Sequence, residues 1–339
     1  MTEPVPTPFV AVVILNYNGR AFLEKFLPSV IQHSPQAQIF VADNASTDNS
    51  VAFLQEHFPK VRLVVLDKNY GFCQGYNLAL QQIEAKYYVL LNSDVEVTKN
   101  WLVPLVELLE KNEKIGACQP KIKSFAQKQY FEHAGAAGGW IDAWGYPFCR
   151  GRVFDTIEID KGQYNDEVPI FWATGACLAV RSRLFHQLGG LETHFFAHME
   201  EIDLCWRLQN AGFEVWYSGK SEVYHVGGGT LPNNSPKKLF FNFRNNLLLL
   251  YKNLPRKHFF LVFGVRIFLD TTAFFSFIVK KQWANAWAII RAYKAFFQLK
   301  NKVQKVSNPK PIQKLHGFYP KSVVWQYFFR QRKTFSRLK

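Results

Sequence analysis

Apolar and polar positions alternate in blocks from the first strand onward. Phe9 to Leu15 is a continuous, largely β-branched run that ends in Asn16-Tyr-Asn-Gly19, which predicts a buried strand closed by a turn. The pattern then repeats. Helices are expected near Ala21 to Gln32, Ser50 to His57 and Gly71 to Ala85, and strands at Gln38 to Ala42, Val61 to Leu66 and Tyr87 to Leu91. Strands separated by single helices at this pitch imply right-handed crossovers and a mainly parallel sheet, so the fold class is α/β. A further helix is expected from Trp101 to Asn112 and a short strand within Ile115 to Ile122. Phe125 to Asp166, rich in Gly and aromatics without a clear period, reads as loops and short strands rather than a separate domain. Ile170 to Val180 predicts a strand pair or a bent strand, and Arg181 to Leu188 a helix stopped by Gly189-Gly190. Glu200 to Gly212 predicts a helix with Glu200, Glu201 and Asp203 in its first turn, where acidic side chains suit the positive end of the helix dipole.

Charge divides the chain. The first 236 of the 339 residues carry 19 Lys and Arg against 25 Asp and Glu, a net charge of −6, whereas the remainder carries 22 against one, Asp270, a net charge of +21. A segment this basic points to nucleic acid or to an anionic membrane surface. Its Phe, Leu, Val and Trp runs favour the membrane, and no nucleic-acid partner is expected. The 19 residues from Phe259 to Phe277 approach the roughly 20 that span a bilayer, but Arg266 and Asp270 interrupt them. Each charge at mid-span costs roughly 2.5 to 3.5 kcal/mol. A helix or helical hairpin lying in the interface or packed on the rest of the protein is therefore expected, with Trp283 to Lys300 repeating the theme. Five cysteines with no C-x-x-C pair indicate neither a disulfide framework nor a zinc site. The amino terminus reads as no secretory signal. A cytoplasmic protein, peripheral or monotopic on the inner face of the cell membrane, is expected.

Three acidic clusters each follow an apolar run: Asp43 in Val41-Ala-Asp-Asn-Ala-Ser-Thr-Asp48, Asp94 in Leu90-Leu-Asn-Ser-Asp94, and Glu200-Glu201-Ile-Asp203. In an open α/β sheet, groups at the carboxyl ends of strands gather at one crevice, where ligands bind. Carboxylates there suit an anionic, metal-bound substrate.

Together with Val12-Val-Ile-Leu-Asn-Tyr-Asn-Gly19, Asn69-Tyr-Gly-Phe72, Gly175-Ala-Cys-Leu-Ala-Val-Arg181, Phe195-Phe-Ala-His-Met-Glu-Glu-Ile-Asp-Leu-Cys-Trp-Arg207 and His225-Val-Gly-Gly-Gly-Thr230, these clusters form an ordered set over about Phe9 to Thr230. The set resembles the family 2 (GT-A fold) glycosyltransferases of the rhamnosyltransferase-like branch. The resemblance implies a GT-A catalytic domain over residues 1–235, with residues 236–339 as a helical, basic, membrane-associated extension. It implies an inverting transfer from a UDP- or dTDP-type nucleoside diphosphate sugar to a glycan or lipid-linked acceptor in cell-surface polysaccharide synthesis.

Residue by residue, Asp43 would contact the base or ribose, because a carboxylate only accepts hydrogen bonds and suits an imide N–H. An Asx turn or helix cap competes with that role. Asn16, Asn69, Gly71, Asn77 and Asn92 would line the donor nucleotide, capping being the competing role for Asn69, Gly71 and Asn77. Arg244 would lie over the diphosphate. Asp94 and His225 would hold a divalent cation, Mn or Mg, with Asn92 replacing the first Asp of the usual metal motif. Glu201 would take the proton of the attacking hydroxyl, with Glu200 beside it and the two roles interchangeable. Asp203 and Arg207, a turn apart, would pair and support their helix. Trp172, Gly175 and Ala176 would wall the acceptor pocket. A catalytically silent binding module and a nucleotidyltransferase are the alternatives. Intact Asp94 and Glu201 weigh against the first, and the nearly uncharged loop after the first strand against the second.

Overall fold

The computed structural model describes residues 9–132, 135–227 and 235–338. Residues 228–230 of the glycine-rich motif after His225 lie outside these. In chain order the regular elements begin with β1 (Val10–Asn16), α1 (Arg20–His33), β2 (Gln38–Asp43), α2 (Ser50–His57), β3 (Arg62–Val65) and α3 (Gly71–Leu80). They continue with β4 (Tyr87–Asn92), β5 (Val95–Val97), α4 (Val103–Lys111), β6 (Ile115–Ser124), β7 (Gly139–Asp142), β8 (Pro147–Cys149), β9 (Arg152–Val153) and β10 (Thr156–Ile157). After β11 (Glu167–Ile170) and β12 (Cys177–Arg181) come α5 (Ser182–Gln187), α6 (Glu200–Asn210) and β13 (Glu214–His225). The chain then runs through α7 (Pro236–Asn253), α8 (Arg256–Val279), α9 (Trp283–Leu299) and β14 (Phe318–Tyr319).

The main sheet runs β11-β13-β6-β12-β4-β1-β2-β3, with β5 beside β13. The four strands read from the alternating blocks are parallel to one another, with Leu15 opposite Asn92 and Asn16 opposite Asp43. Beyond β4 the sheet is mixed: β12 is antiparallel to both β4 and β6, and β11 to β13. An apolar run of five residues carries no direction of its own, and that half of the sheet is fixed only by long-range pairing. The expected helix to Ala85 stops at Leu80, where the Tyr88 hydroxyl donates to the carbonyl of Ile83 at 2.5 Å and holds the turn.

Two apolar layers cover the sheet. One packs Leu23, Leu27 and Val30 of α1 with Leu105 and Leu109 of α4. The other takes Tyr76 of α3 and Ile202 and Trp206 of α6, together with Leu247 to Leu250 of α7 and Phe335. The basic segment thus helps to build the core. Its Phe318 and Tyr319 add a parallel strand to β7 in a second sheet, β10-β9-β8-β7-β14, formed by the aromatic loops. Gly317, at φ +71°, permits this close approach, because a Cβ there would lie 2.1 Å from the Phe171 amide nitrogen.

Candidate active site

Asn92 ends β4, and the short turn to β5 carries Asp94. β13 pairs with β5 so that its last residue, His225, lies opposite Val95 and beside that turn. The His225 Nε2 is 3.1 Å from Asp94 Oδ1 and its Nδ1 is 3.2 Å from Glu132 Oε2, while the Asn92 amide nitrogen is 3.5 Å from Nε2. Burial disfavours charge on the imidazole, but hydrogen bonds and charges from Asp94 and Glu132 outweigh it and push the group up to about 10. Among the described residues no three His, Cys, Asp or Glu side chains form a self-contained metal cage. Asp94 and His225 offer an oxygen and an imidazole nitrogen; a hard divalent ion there would displace the proton that Asp94 favours on His225 and take its remaining ligands from water and substrate phosphate. Glu132 would then orient the imidazole from behind.

Glu200 and Glu201 open α6 after Met199, whose φ is +76°. Glu200 is buried and Glu201 reaches the cavity wall, yet the Oε2 atoms of both are buried with no hydrogen-bond partner among the described residues. Burial pushes Glu201 from 4.5 up to about 7, against the easing effect of backbone N–H groups at the start of the helix. Burial first, and then the charge of Glu201, push Glu200 well above the ordinary carboxylate range. The adjacency of two acids is therefore the smaller cause. Asp203 and Arg207, one turn further on, are ion-paired at 2.7 Å.

These two groups share one cavity of about 460 Å³, lined by Asp94 and His225 on one side and Glu200 and Glu201 on another. Asn92, Trp172, Gly175 and Ala176 also line it, and Gly175 brings its backbone beside Glu201, a Cβ there falling 3.9 Å from that residue's Cβ. The Trp172 indole donates to the carbonyl of Trp140 at 3.1 Å, which fixes the ring in the wall.

The other expected donor residues are not brought into this cavity. Asp43 is buried, accepts from the Asn16 amide at 2.9 Å and closes an Asx turn on the Ser46 N–H at 2.8 Å; Asn16 Oδ1 is buried without a partner among the described residues. Asn69 accepts from the Gly71 N–H at 2.8 Å and from Asn44 at 3.0 Å, an Asx turn that leads into α3 without capping it. Asn77 clamps both backbone groups of Leu191 at 2.8 Å. Arg244 donates to the carbonyls of His194 and Phe195 and to Asn245 Oδ1.

The cations that do line the cavity, Arg152, Lys238 and Arg266, were missed, as were Glu132 and His198. Glu132 and Arg152 sit in the aperiodic loops, where no pattern marks them. For Lys238 a signal existed: it lies at the first turn of α7, where the charge balance reverses.

Residues 11–188 match the family described as Glycosyl transferase family 2. The chain is a GT-A glycosyltransferase and belongs to that family. It is 27% identical over 240 residues, 66% of this chain and 76% of the relative, to N-acetylglucosaminyl-diphospho-decaprenol L-rhamnosyltransferase of Mycobacterium tuberculosis. It is 26% identical over 229 residues to the O-antigen biosynthesis protein RfbC of Myxococcus xanthus, covering 65% of this chain but 17% of that protein. In fold it resembles GalNAc-T7 with UDP, GalNAc and Mn2+, with a TM-score of 0.58 and 17% identity over 75% of this chain and 49% of the other. It also resembles a mannosyltransferase from Pyrobaculum calidifontis in complex with GDP-Man and Mn2+, with a TM-score of 0.52 and 15% identity over 89% and 79% of the two chains.

Proposed function

We propose that this transferase is inverting and metal-dependent and moves a sugar from a UDP- or dTDP-type donor to a glycan or lipid-linked acceptor in cell-surface polysaccharide synthesis. The observation that carries this reading is the single cavity shared by Asp94 and His225 with Glu200 and Glu201. Asp94 and His225 would hold Mn or Mg, which when bound neutralises charge on the departing diphosphate. Arg152 and Lys238, which line the cavity, take the diphosphate role first expected of Arg244. Glu201, with its affinity for protons raised by burial, receives the proton of the acceptor hydroxyl as that oxygen attacks the anomeric carbon. Trp172, Gly175 and Ala176 shape the acceptor side. The mycobacterial relative is named for a sugar-diphospho-decaprenol, which supports a lipid-linked acceptor here.

Residues 1–235 are proposed as the catalytic domain and residues 236–339 as an extension that completes its core and meets an anionic membrane on the cytoplasmic side. α8 is long and apolar enough to cross a membrane by length and composition. Arg266 and Asp270, however, are buried against the protein, where Asp270 accepts from Tyr146 and Tyr293 and Arg266 donates to Asn246. The opposite face exposes Phe260, Leu261, Phe268 and Phe275, and α9 exposes Trp283 and Trp287. An apolar face rimmed by Lys280, Lys281 and Lys294 suits a helix pair lying in the interface.

The test is a thermal-shift screen of nucleoside diphosphate sugars with and without Mn2+, followed by turnover with a sugar-diphospho-prenol. Metal-dependent stabilisation by a UDP- or dTDP-sugar is expected. Equal stabilisation without metal, or none by either donor class, overturns the reading.

A further inference from the structure

Among the described residues no side chain is hydrogen-bonded to the buried Oε2 atoms of the acid pair, so its aim comes from the backbone that delivers it. That backbone is unusual: Phe196, His198 and Met199, the last three non-alanine residues before Glu200, have φ of +66°, +70° and +76°. Side chains rarely adopt such angles, and a run of them persists only where surrounding structure over-determines it. The restraint comes from two adjacent residues of α7. The Asn245 amide donates to the carbonyls of Phe195, Ala197 and His198 at 2.9, 2.8 and 2.7 Å. Arg244 donates to those of His194 and Phe195 at 3.1 and 2.8 Å, and its Nε donates to Asn245 Oδ1 at 2.8 Å, which fixes the amide's orientation.

The same helix grips α6 again beyond the acids. Asp203, fully buried, accepts from Lys252 at 3.0 Å and from Asn253 at 2.8 Å. Glu200 and Glu201 therefore sit between two attachments to α7. On the third side, Phe196 packs over Gly71, where a Cβ would lie 3.0 Å from the ring.

We infer that Arg244 and Asn245 are positioning residues for the transfer reaction: they hold the 194–199 segment, with its positive-φ residues Phe196, His198 and Met199, so that Glu200 and Glu201 face the acceptor hydroxyl. The inference rests on the reading of that pair as the proton acceptor. It gives Arg244 and Asn245 a part in catalysis and none in donor binding, since both side chains point at backbone carbonyls rather than into the cavity.

The experiment uses the full chain and four variants, Asn245→Ala, Arg244→Lys, Leu249→Ala and Glu201→Gln. Leu249 is a fully buried core residue of the same helix and is absent from the loop's hydrogen bonds, so its variant controls for loss of fold stability. Release of nucleoside diphosphate from UDP- and dTDP-sugars is measured per folded molecule, and UDP and dTDP binding by calorimetry. The expected result is that Asn245→Ala lowers kcat about 30-fold or more with nucleotide affinity changed less than twofold, while Leu249→Ala keeps kcat per folded molecule within about threefold. Arg244→Lys, which keeps one donor, should fall between. Equal kcat in Asn245→Ala and Leu249→Ala, or a loss of nucleotide binding that accounts for the fall, overturns the inference. An active Glu201→Gln instead removes the reading of the acid pair on which it rests, so the two failures are distinct.

Discussion

The two ends of the cavity treat their carboxylates in opposite ways. At one end Asp94 and Glu132 flank His225 at 3.1 and 3.2 Å, so two acids share one imidazole and raise its affinity for a proton. At the other end Glu200 and Glu201 lie side by side with buried oxygens and no side-chain partner among the described residues. A carboxylate already paired with a basic group can also be shared with an incoming ion. An unpaired buried one is held near the midpoint of its titration, where accepting and releasing a proton cost least. On the proposed reading, the difference separates a group that binds from a group that reacts.

The strongest way to break this comparison is Glu201→Gln. It should lower kcat by about 10² to 10⁴-fold, as loss of a general base does, with donor binding intact. It should also stabilise the fold above neutrality. Glu201 is raised from 4.5 to about 7 in the folded protein, so the folded state binds the extra proton between those values and stability falls as pH rises through them. Removing the charge should recover about 3 kcal/mol at pH 8 and almost nothing at pH 4, read from denaturant midpoints. The wild-type kcat/KM should rise through an apparent pKa near 7, and a limb near 4.5 would mean that the pair is not titrating in its buried setting.

Asp94→Ala acts on the paired end. Activity should fall on the order of 10²-fold, and the stabilisation of the fold by UDP should lose its dependence on Mn2+. If metal-dependent stabilisation survives, the ion sits elsewhere. A smaller effect, about tenfold on donor KM, is expected for Lys238→Ala, since a single charged contact is removed. Arg244→Ala should leave donor KM unchanged. The smallest expected effect on catalysis in solution comes from Phe268→Ser with Trp287→Ser, whose side chains are 71% and 60% exposed. These changes should leave thermal stability intact while weakening pelleting with anionic vesicles. Truncation before α7 is a poor test of membrane contact, because it would strip Leu247 to Leu250 from the core.

Much of the site was legible because its parts follow directly on strands or open helices. The turn after β4 had to place Asp94 at a carboxyl edge, and the first turn of α6 had to carry Glu200 and Glu201, whatever else the chain did. Asn77 and Arg244 fit the same motifs and were assigned to the donor by analogy. Their side chains instead satisfy backbone groups of Leu191 and of the 194–199 loop, partners that lie 114 and about 50 residues away in sequence. Glu132, Arg152 and Lys238 came from segments with no periodicity or with charge alone, so nothing local marked them as cavity residues.

The chain's own order of apolar and polar residues determined the parallel strands β1 to β4, the intervening helices, and the positions of the acids along them, because these depend on periods of two and of about 3.6 residues. The basic segment's charge was equally plain. Tertiary structure alone decided that this segment completes the core and grips the catalytic loop, that β12 enters the sheet reversed, and that Glu132 reaches His225. Each of those depends on which distant surfaces exclude water together, and such pairings leave no repeating trace in one dimension.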